Sequence, residues 1–438
     1  MVFVEIDFSC VPYSASFFSL LQMKFFQPVL LVIFLENTVA HSPGYAAVSP
    51  EGRLLEIFER SSLERLDPMT RRVVEQAARE DAANTQTLFD LTRGWPSVIN
   101  VPHTRTFTLN TSSRTDDPLR VTFSTVEYPE VMVSFVHDCF FQDSSAHKMV
   151  PHPALEESVF GSSARKAGVG ATGYLYVSPP VPFPSGQMFT GLSPSQVEQC
   201  RSVNGAVRLL LVKKTSGESL RDIMNRCGRV DPVFALNVGK SLIQAVRALH
   251  QSQFFSNCST IGITHGNLLL EDVFVEHAED ASGEVSVKLG GFMSSRVSWM
   301  DKPTGVSLKP HLSSSSLEFL KTPWELMHGP SRLYTVQDDV YRAVQLISIL
   351  LNGPGLEQDL ISKAQDGSLT QYKVLNPVFV LAQSDEDPFR TLPLSTEGKS
   401  AWISSLSEVN ARIFEFDANS YGDIIQAFES MIQRAQIE

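Results

Sequence analysis

Two short stretches constrain this 438-residue chain more than any others. The first runs Ile263-Thr264-His265-Gly266-Asn267-Leu268-Leu269-Leu270-Glu271-Asp272-Val273, and the second, a little further on, Val287-Lys288-Leu289-Gly290-Gly291-Phe292. Each sets a few polar or glycine residues inside an apolar frame, the pattern of a loop held between buried segments. The first stretch offers an imidazole (His265), an amide (Asn267) and one carboxylate near its end (Asp272). An amide has no useful basicity, so Asn267 cannot take a proton from a substrate hydroxyl.

The rest of the chain has ample material to bury such a frame, because 43% of its residues are hydrophobic and its length suits two domains or one large bilobed one. A net charge of -12 argues against general affinity for nucleic acid or anionic membrane, which need clustered Lys and Arg. Near the N-terminus, Met23-Lys24 precedes the apolar run Phe25 to Leu35 and the small-residue end Val39-Ala40. That order predicts a secretory signal over residues 1–40, with Met23 as an alternative start. The run is too short to span a bilayer, and no later segment is apolar for the ~18 residues a span needs.

Cleavage after Ala40 would leave Cys139, Cys200, Cys227 and Cys258. Four cysteines in an exported chain allow two disulfides in any of three connectivities, or four buried free thiols. Their spacing matches no zinc motif. Asn110-Thr111-Ser112 and Asn257-Cys258-Ser259 are glycosylation sequons if the chain is exported.

Residues 41–93 read as a helical extension. Leu54, Leu55, Phe58, Leu63 and Leu66, then Val73, Val74 and Ala77, recur at helical spacing, and arginines and glutamates share the same turns. The mixed charges predict a solvated helix face rather than a membrane-surface one. Three β-branched and aromatic runs follow, 105–109, 119–126 and 131–136, and the turn 110–118 between the first two contains no glycine. Residues 156–166 read as a helix. Gly168-Val169-Gly170-Ala171-Thr172-Gly173 matches a phosphate-loop pattern but lacks its flanking elements, so it reads as a flexible linker into the strand Tyr174 to Val177. Pro179 to Pro184 is a rigid loop or a polyproline ligand. A strand, 207–214, then runs into a polar joint and a helix from Ser219. Asp231-Pro232 caps a long helix whose buried face is Val238, Leu242, Ile243, Val246 and Leu249.

The order strand, joint, capped helix, polar loop, strand and Gly-Phe continues with Thr322-Pro323-Trp324-Glu325-Leu326, then with Asp339 at the start of an apolar helix through Leu351. This order resembles a protein kinase over residues 94–438. His265, Gly266 and Asn267 stand where kinases carry H-R-D, Leu269 replaces a phosphate-contacting polar residue, and Asp272 stands at the metal-binding asparagine position. Gly291 replaces the aspartate of D-F-G, Phe292 keeps its phenylalanine, and the third strand has no lysine. Glu325 and Asp339 match structural positions, although Asp417-Ala418-Asn419-Ser420-Tyr421 departs from the segment that supplies the usual arginine partner of Glu325.

The degenerate loop, the signal segment and the helical extension together resemble the exported pseudokinases of apicomplexan parasites, the rhoptry-type kinase family and its branch without a Gly loop. The resemblance implies an α+β, bilobed kinase-like fold, with a β-rich small lobe over 94–212 and a mainly helical large lobe over 213–438. It also implies no catalytic residue, no cofactor and no metal. The expected role is a binding scaffold or allosteric partner for another protein, such as a related active kinase or a vacuole or cyst-wall protein. The expected location is a secretory organelle, the parasitophorous vacuole or the cyst wall. The alternative is an atypical kinase with residual ATP binding or weak Ser/Thr phosphotransfer. The partner surface would be sought on the N-terminal helices, the Ser313 to Ser316 loop or the Pro-rich loop.

Overall fold

The computed structural model describes residues 89–101, 105–116, 119–139, 152–184, 188–202, 204–213, 217–228, 230–252, 261–277, 285–299, 335–365, 395–417 and 419–437. The signal segment, nearly all of the helical extension, Cys258, Ser313 to Ser316 and Glu325 lie outside the described residues. The described chain is a mixed α+β arrangement of a curled antiparallel sheet followed by helices and two small sheets.

The main sheet runs β1 (Val98–Val101), β2 (Arg105–Asp116), β3 (Arg120–Thr125), β4 (Val131–His137), β7 (Ala206–Lys213) and β5 (Gly173–Val177), with the short β6 (Val181–Pro182) also on β7. Alternation sorts its side chains. Val121, Phe123, Val133, Phe135, Leu209 and Leu211 face one core, where Trp95 packs edge-on against Phe123 and Phe189. Val136, Leu210 and Val177 face the other way, onto Ala154 and Leu155 of helix α1 (Pro153–Lys166). The central strands β4 and β7 are thus buried on both faces, which explains their nearly unbroken apolar runs.

The second core gathers around helix α4 (Pro232–His250), reached through helix α2 (Pro194–Ser202), β7, β8 (Glu218–Ser219) and helix α3 (Leu220–Cys227). Asp231 caps α4 by accepting the Phe234 N–H at 3.0 Å. All five residues expected on its inner face are buried. Helix α5 (Val336–Asn352) and, further on, α8 (Ser420–Ile437) pack against α4, with α6 (Pro354–Gln365) and α7 (Thr396–Phe414) beside them. Between α4 and α5 in sequence lie β9 (Ile261–Thr264), β10 (Val273–His277), β11 (Val285–Leu289) and β12 (Arg296–Trp299). They pair as β11-β10-β8 and β12-β9.

Several expectations change. The segment 110–116, read as turn, continues strand β2 with a register shift between Asn110 and Thr115. Its serines and threonines hold the ladder themselves: Ser113 Oγ accepts from the Ser124 N–H at 2.8 Å. The glycine-rich 168–173 segment is not a slack linker. Ala171 N–H donates to Leu289 O and Leu289 N–H to Val169 O, each at 2.7 Å, so the segment is clipped to β11. The Pro-rich loop is partly strand, since β6 pairs with Val207 and Ala206, and Phe183 N–H bonds Gly205 O at 2.9 Å. Strand β1 and helix α2 lack the length or periodicity that would have announced them. Neither cysteine alternative holds in full: Cys139 and Cys200 form one disulfide, while Cys227 is an exposed free thiol and leaves no second bridge to it.

Candidate functional site

The loop after β9 is held from below by Asp339, in the first turn of α5. That turn is fixed by Asp338, whose Oδ2 accepts from both the N–H and the hydroxyl of Thr335, at 2.6 and 2.8 Å. Asp339 is fully buried and accepts three bonds: from His265 N–H at 2.6 Å, from Gly266 N–H at 3.1 Å and from His250 Nε2 at 2.8 Å. With Nε2 turned to Asp339, the other ring nitrogen of His250, Nδ1, meets the Tyr421 hydroxyl 2.6 Å away. Burial works against the Asp339 carboxylate, but the hydrogen bonds from the His250 ring and the His265 N–H outweigh it and hold its pKa below the usual value.

The His265 ring is also buried. Its Nε2–H donates to Gly290 O at 2.6 Å, and its ring lies tilted against Phe292 with the centroids 5.1 Å apart. Burial lowers its pKa, so the ring is neutral and serves as a strut between the two motif stretches. Gly266 has φ +83, and a Cβ there would collide with Ser294 O. An arginine at this position is therefore excluded by backbone geometry. Asn267 is half-buried, Leu268 and Leu270 join the core, and Leu269 packs partly against it.

Asp272 ends a 3-10 turn (Leu270–Asp272), where its Oδ2 accepts the Leu269 N–H at 3.2 Å and its carbonyl accepts the Gly290 N–H at 2.7 Å. Gly291 is left-handed, with φ 71 and ψ 40. A Cβ built there would fall far inside contact with Asp272 Oδ1 and Cγ. The two positions expected to carry separate metal ligands thus share one volume, and Asp272 fills it. Burial, then the Glu271 and Glu157 carboxylates, push the Asp272 pKa well above the ordinary range. That shift favours the protonated carboxyl over the charged one.

A charged group missed in the sequence faces this region. Arg120 opens β3 opposite Val136, so alternation turns it toward α1. Its Nη1 lies 3.7 Å from Glu157 Oε2, and the Tyr174 hydroxyl donates to Glu157 Oε1 at 3.2 Å. Strand β4 has no lysine, yet the neighbouring strand β3 supplies a cation to α1. The signal was a lone arginine on a strand face that otherwise carries Thr122 and Ser124.

Elsewhere, Asp417 caps α8 by accepting from Asn419 N–H at 2.8 Å and Ser420 N–H at 3.0 Å, and Arg412 pairs with Asp423 at 3.2 Å. Among the described residues no helix is long and apolar enough to cross a membrane. No protein-family model matches the chain, and no curated protein is similar to it in sequence.

Proposed function

We propose that the chain is an exported, bilobed kinase-like protein that works by binding: a pseudokinase acting as a scaffold or allosteric partner for another protein of a parasite secretory organelle, vacuole or cyst wall. The observation that carries this reading is the coincidence of a fully built loop support with an unbuilt reaction site. Asp339 fixes the loop backbone through three bonds. The base position is an amide, and the Asp272 carboxyl lies in the space that an aspartate at 291 would need. A loop that keeps its frame and lacks its proton acceptor and metal carboxylate supports packing, not phosphoryl transfer.

A second reading, residual nucleotide binding without turnover, draws on the Arg120–Glu157 pair, which offers a cation near the place of the missing lysine. One experiment separates the two. A ligand at ~100 times its Kd stabilises a folded protein by roughly 2.7 kcal/mol, so saturating ATP with magnesium should leave the melting temperature of a binding-only protein unchanged. A metal-dependent rise that disappears in Arg120→Met favours the second reading. Recovery of the same partner in repeated pull-downs from the source cells supports the scaffold role, and repeated recovery of none counts against it.

A further inference from the structure

The cluster with the most chemistry left unused lies in the main sheet, away from the loop. Strand β4 ends at His137, and Cys139 follows two residues later on the same side of the chain. Helix α2 brings Cys200 over them, and Gly205 permits the approach, because a Cβ there would lie 2.8 Å from Cys139 Sγ. One ligand atom from each of His137, Cys139 and Cys200 falls within 4.8 Å of the other two, and all three residues are buried. The surroundings are rigid. The His137 ring meets Phe189 edge-on at 5.0 Å and Phe183 at 5.7 Å, while Asp138 accepts the Ala206 N–H at 2.7 Å and ties the end of β4 to β7.

We propose that His137, Cys139 and Cys200 form a redox-gated site for one thiophilic cation of the Zn2+ class. In the oxidised chain the two sulfurs are bonded to each other and the site is closed. A dithiol donates two electrons and two protons to the Cys139–Cys200 bond and itself becomes a disulfide. The two new thiols then release those protons as they bind the ion as thiolates, and the neutral His137 ring adds a nitrogen lone pair. Zn–S bonds of about 2.3 Å and Zn–N bonds of about 2.0 Å place such ligands roughly 3.5–3.8 Å apart, a spread the cluster accommodates. Three protein ligands leave the fourth tetrahedral position to an exchangeable group. The disulfide and the ion are mutually exclusive, and each fastens the end of β4 to α2. The chain would therefore keep this staple in both oxidising and reducing surroundings.

The test uses the full chain with Cys10, Cys227 and Cys258 replaced by serine, reduced with a phosphine and titrated with Co2+. One equivalent should bind, with thiolate charge-transfer and tetrahedral d–d absorption, and Zn2+ should displace it. The oxidised chain should show neither band. His137→Gln should weaken binding by about tenfold or more, and Cys200→Ser should abolish the charge-transfer band. Running the unaltered chain with and without Cys200→Ser reads the same difference if the serine background folds poorly. A reduced chain that stays folded by circular dichroism and shows no Co2+ spectrum overturns the proposal, as does binding indifferent to His137→Gln. If reduction unfolds the chain, Zn2+ should restore the fold, and failure to do so overturns it equally.

Discussion

Asp339 and His265 lie 74 residues apart in sequence, and the Asp339 carboxylate accepts the His265 main-chain N–H at 2.6 Å. The same carboxylate takes Gly266 N–H and His250 Nε2. Removing it strands three buried donors at once. Asp339→Ala should cost about 3–5 kcal/mol, the range for breaking a buried charged network on one side, and Asp339→Asn less, since its amide oxygen still accepts while its NH2 faces a donor. Urea unfolding gives the difference. The pH dependence has a definite sign. Because the folded pKa of Asp339 is lowered, its contribution is complete above the unfolded value near 4 and is lost as pH falls through the folded one. The lowered pKa of His265 adds a loss that begins as pH falls below about 6.5. Asp339→Asn should lack the lower of these two limbs.

His250 links this carboxylate to Tyr421, through a bond of 2.6 Å to the hydroxyl. Tyr421→Phe keeps the ring and deletes the bond, so it should cost about 0.5–1.5 kcal/mol. In a His250→Ala background the same change should cost close to nothing, because its partner is already gone. A double-mutant cycle by denaturant unfolding measures that coupling. Additive effects would mean that the hydroxyl acts elsewhere.

What the sequence made legible follows from how local the signal was. The α4 helix, its Asp231 cap and its inner face could be read because the period lies within nineteen proline-started residues and the cap immediately before them. Asp339 stands out in the sequence only as a structural position in a resemblance of motif order, and its bonds to His265 and Gly266 give that position its geometry. Tyr421, Arg120 and His137 were not legible. Each acts through a partner brought near by folding: His250 lies 171 residues from Tyr421, and Cys200 reaches His137 only because α2 folds over β4. The second half of strand β2, Asn110 to Asp116, is polar and reads as turn until Ser124 supplies its cross-strand bonds.

Asp272 weakens the fold as pH rises toward neutral, because its raised pKa means that the folded state gives up the carboxyl proton less readily than the unfolded chain. The sign is opposite to that of Asp339: the contribution is most favourable below the unfolded value near 4 and declines as pH rises through the folded one. Asp272→Asn keeps an oxygen for the Leu269 N–H and removes the titration. It should raise the melting temperature at pH 7–8, with ~1 kcal/mol corresponding to about 1 °C in a chain of this size, and change little at pH 4. Equal effects at both pH values would show that the carboxyl is not protonated in the folded state.

Gly291 tests whether the space around Asp272 is truly taken. Its positive φ alone disfavours any side chain, and the added Cβ meets the Asp272 carboxyl. Gly291→Ala should therefore cost more than the ~1 kcal/mol typical of an alanine forced into a left-handed position, about 2–4 kcal/mol in all. Gly291→Asp should cost more again, since it sets a second carboxyl against the first. Asp272→Gly empties the contested volume, and in that background the penalty of Gly291→Ala should shrink to the backbone part alone. Denaturant midpoints for the two single variants and the double variant separate the terms. A Gly291→Ala cost that is the same in both backgrounds would mean that residues 272 and 291 do not compete for one site.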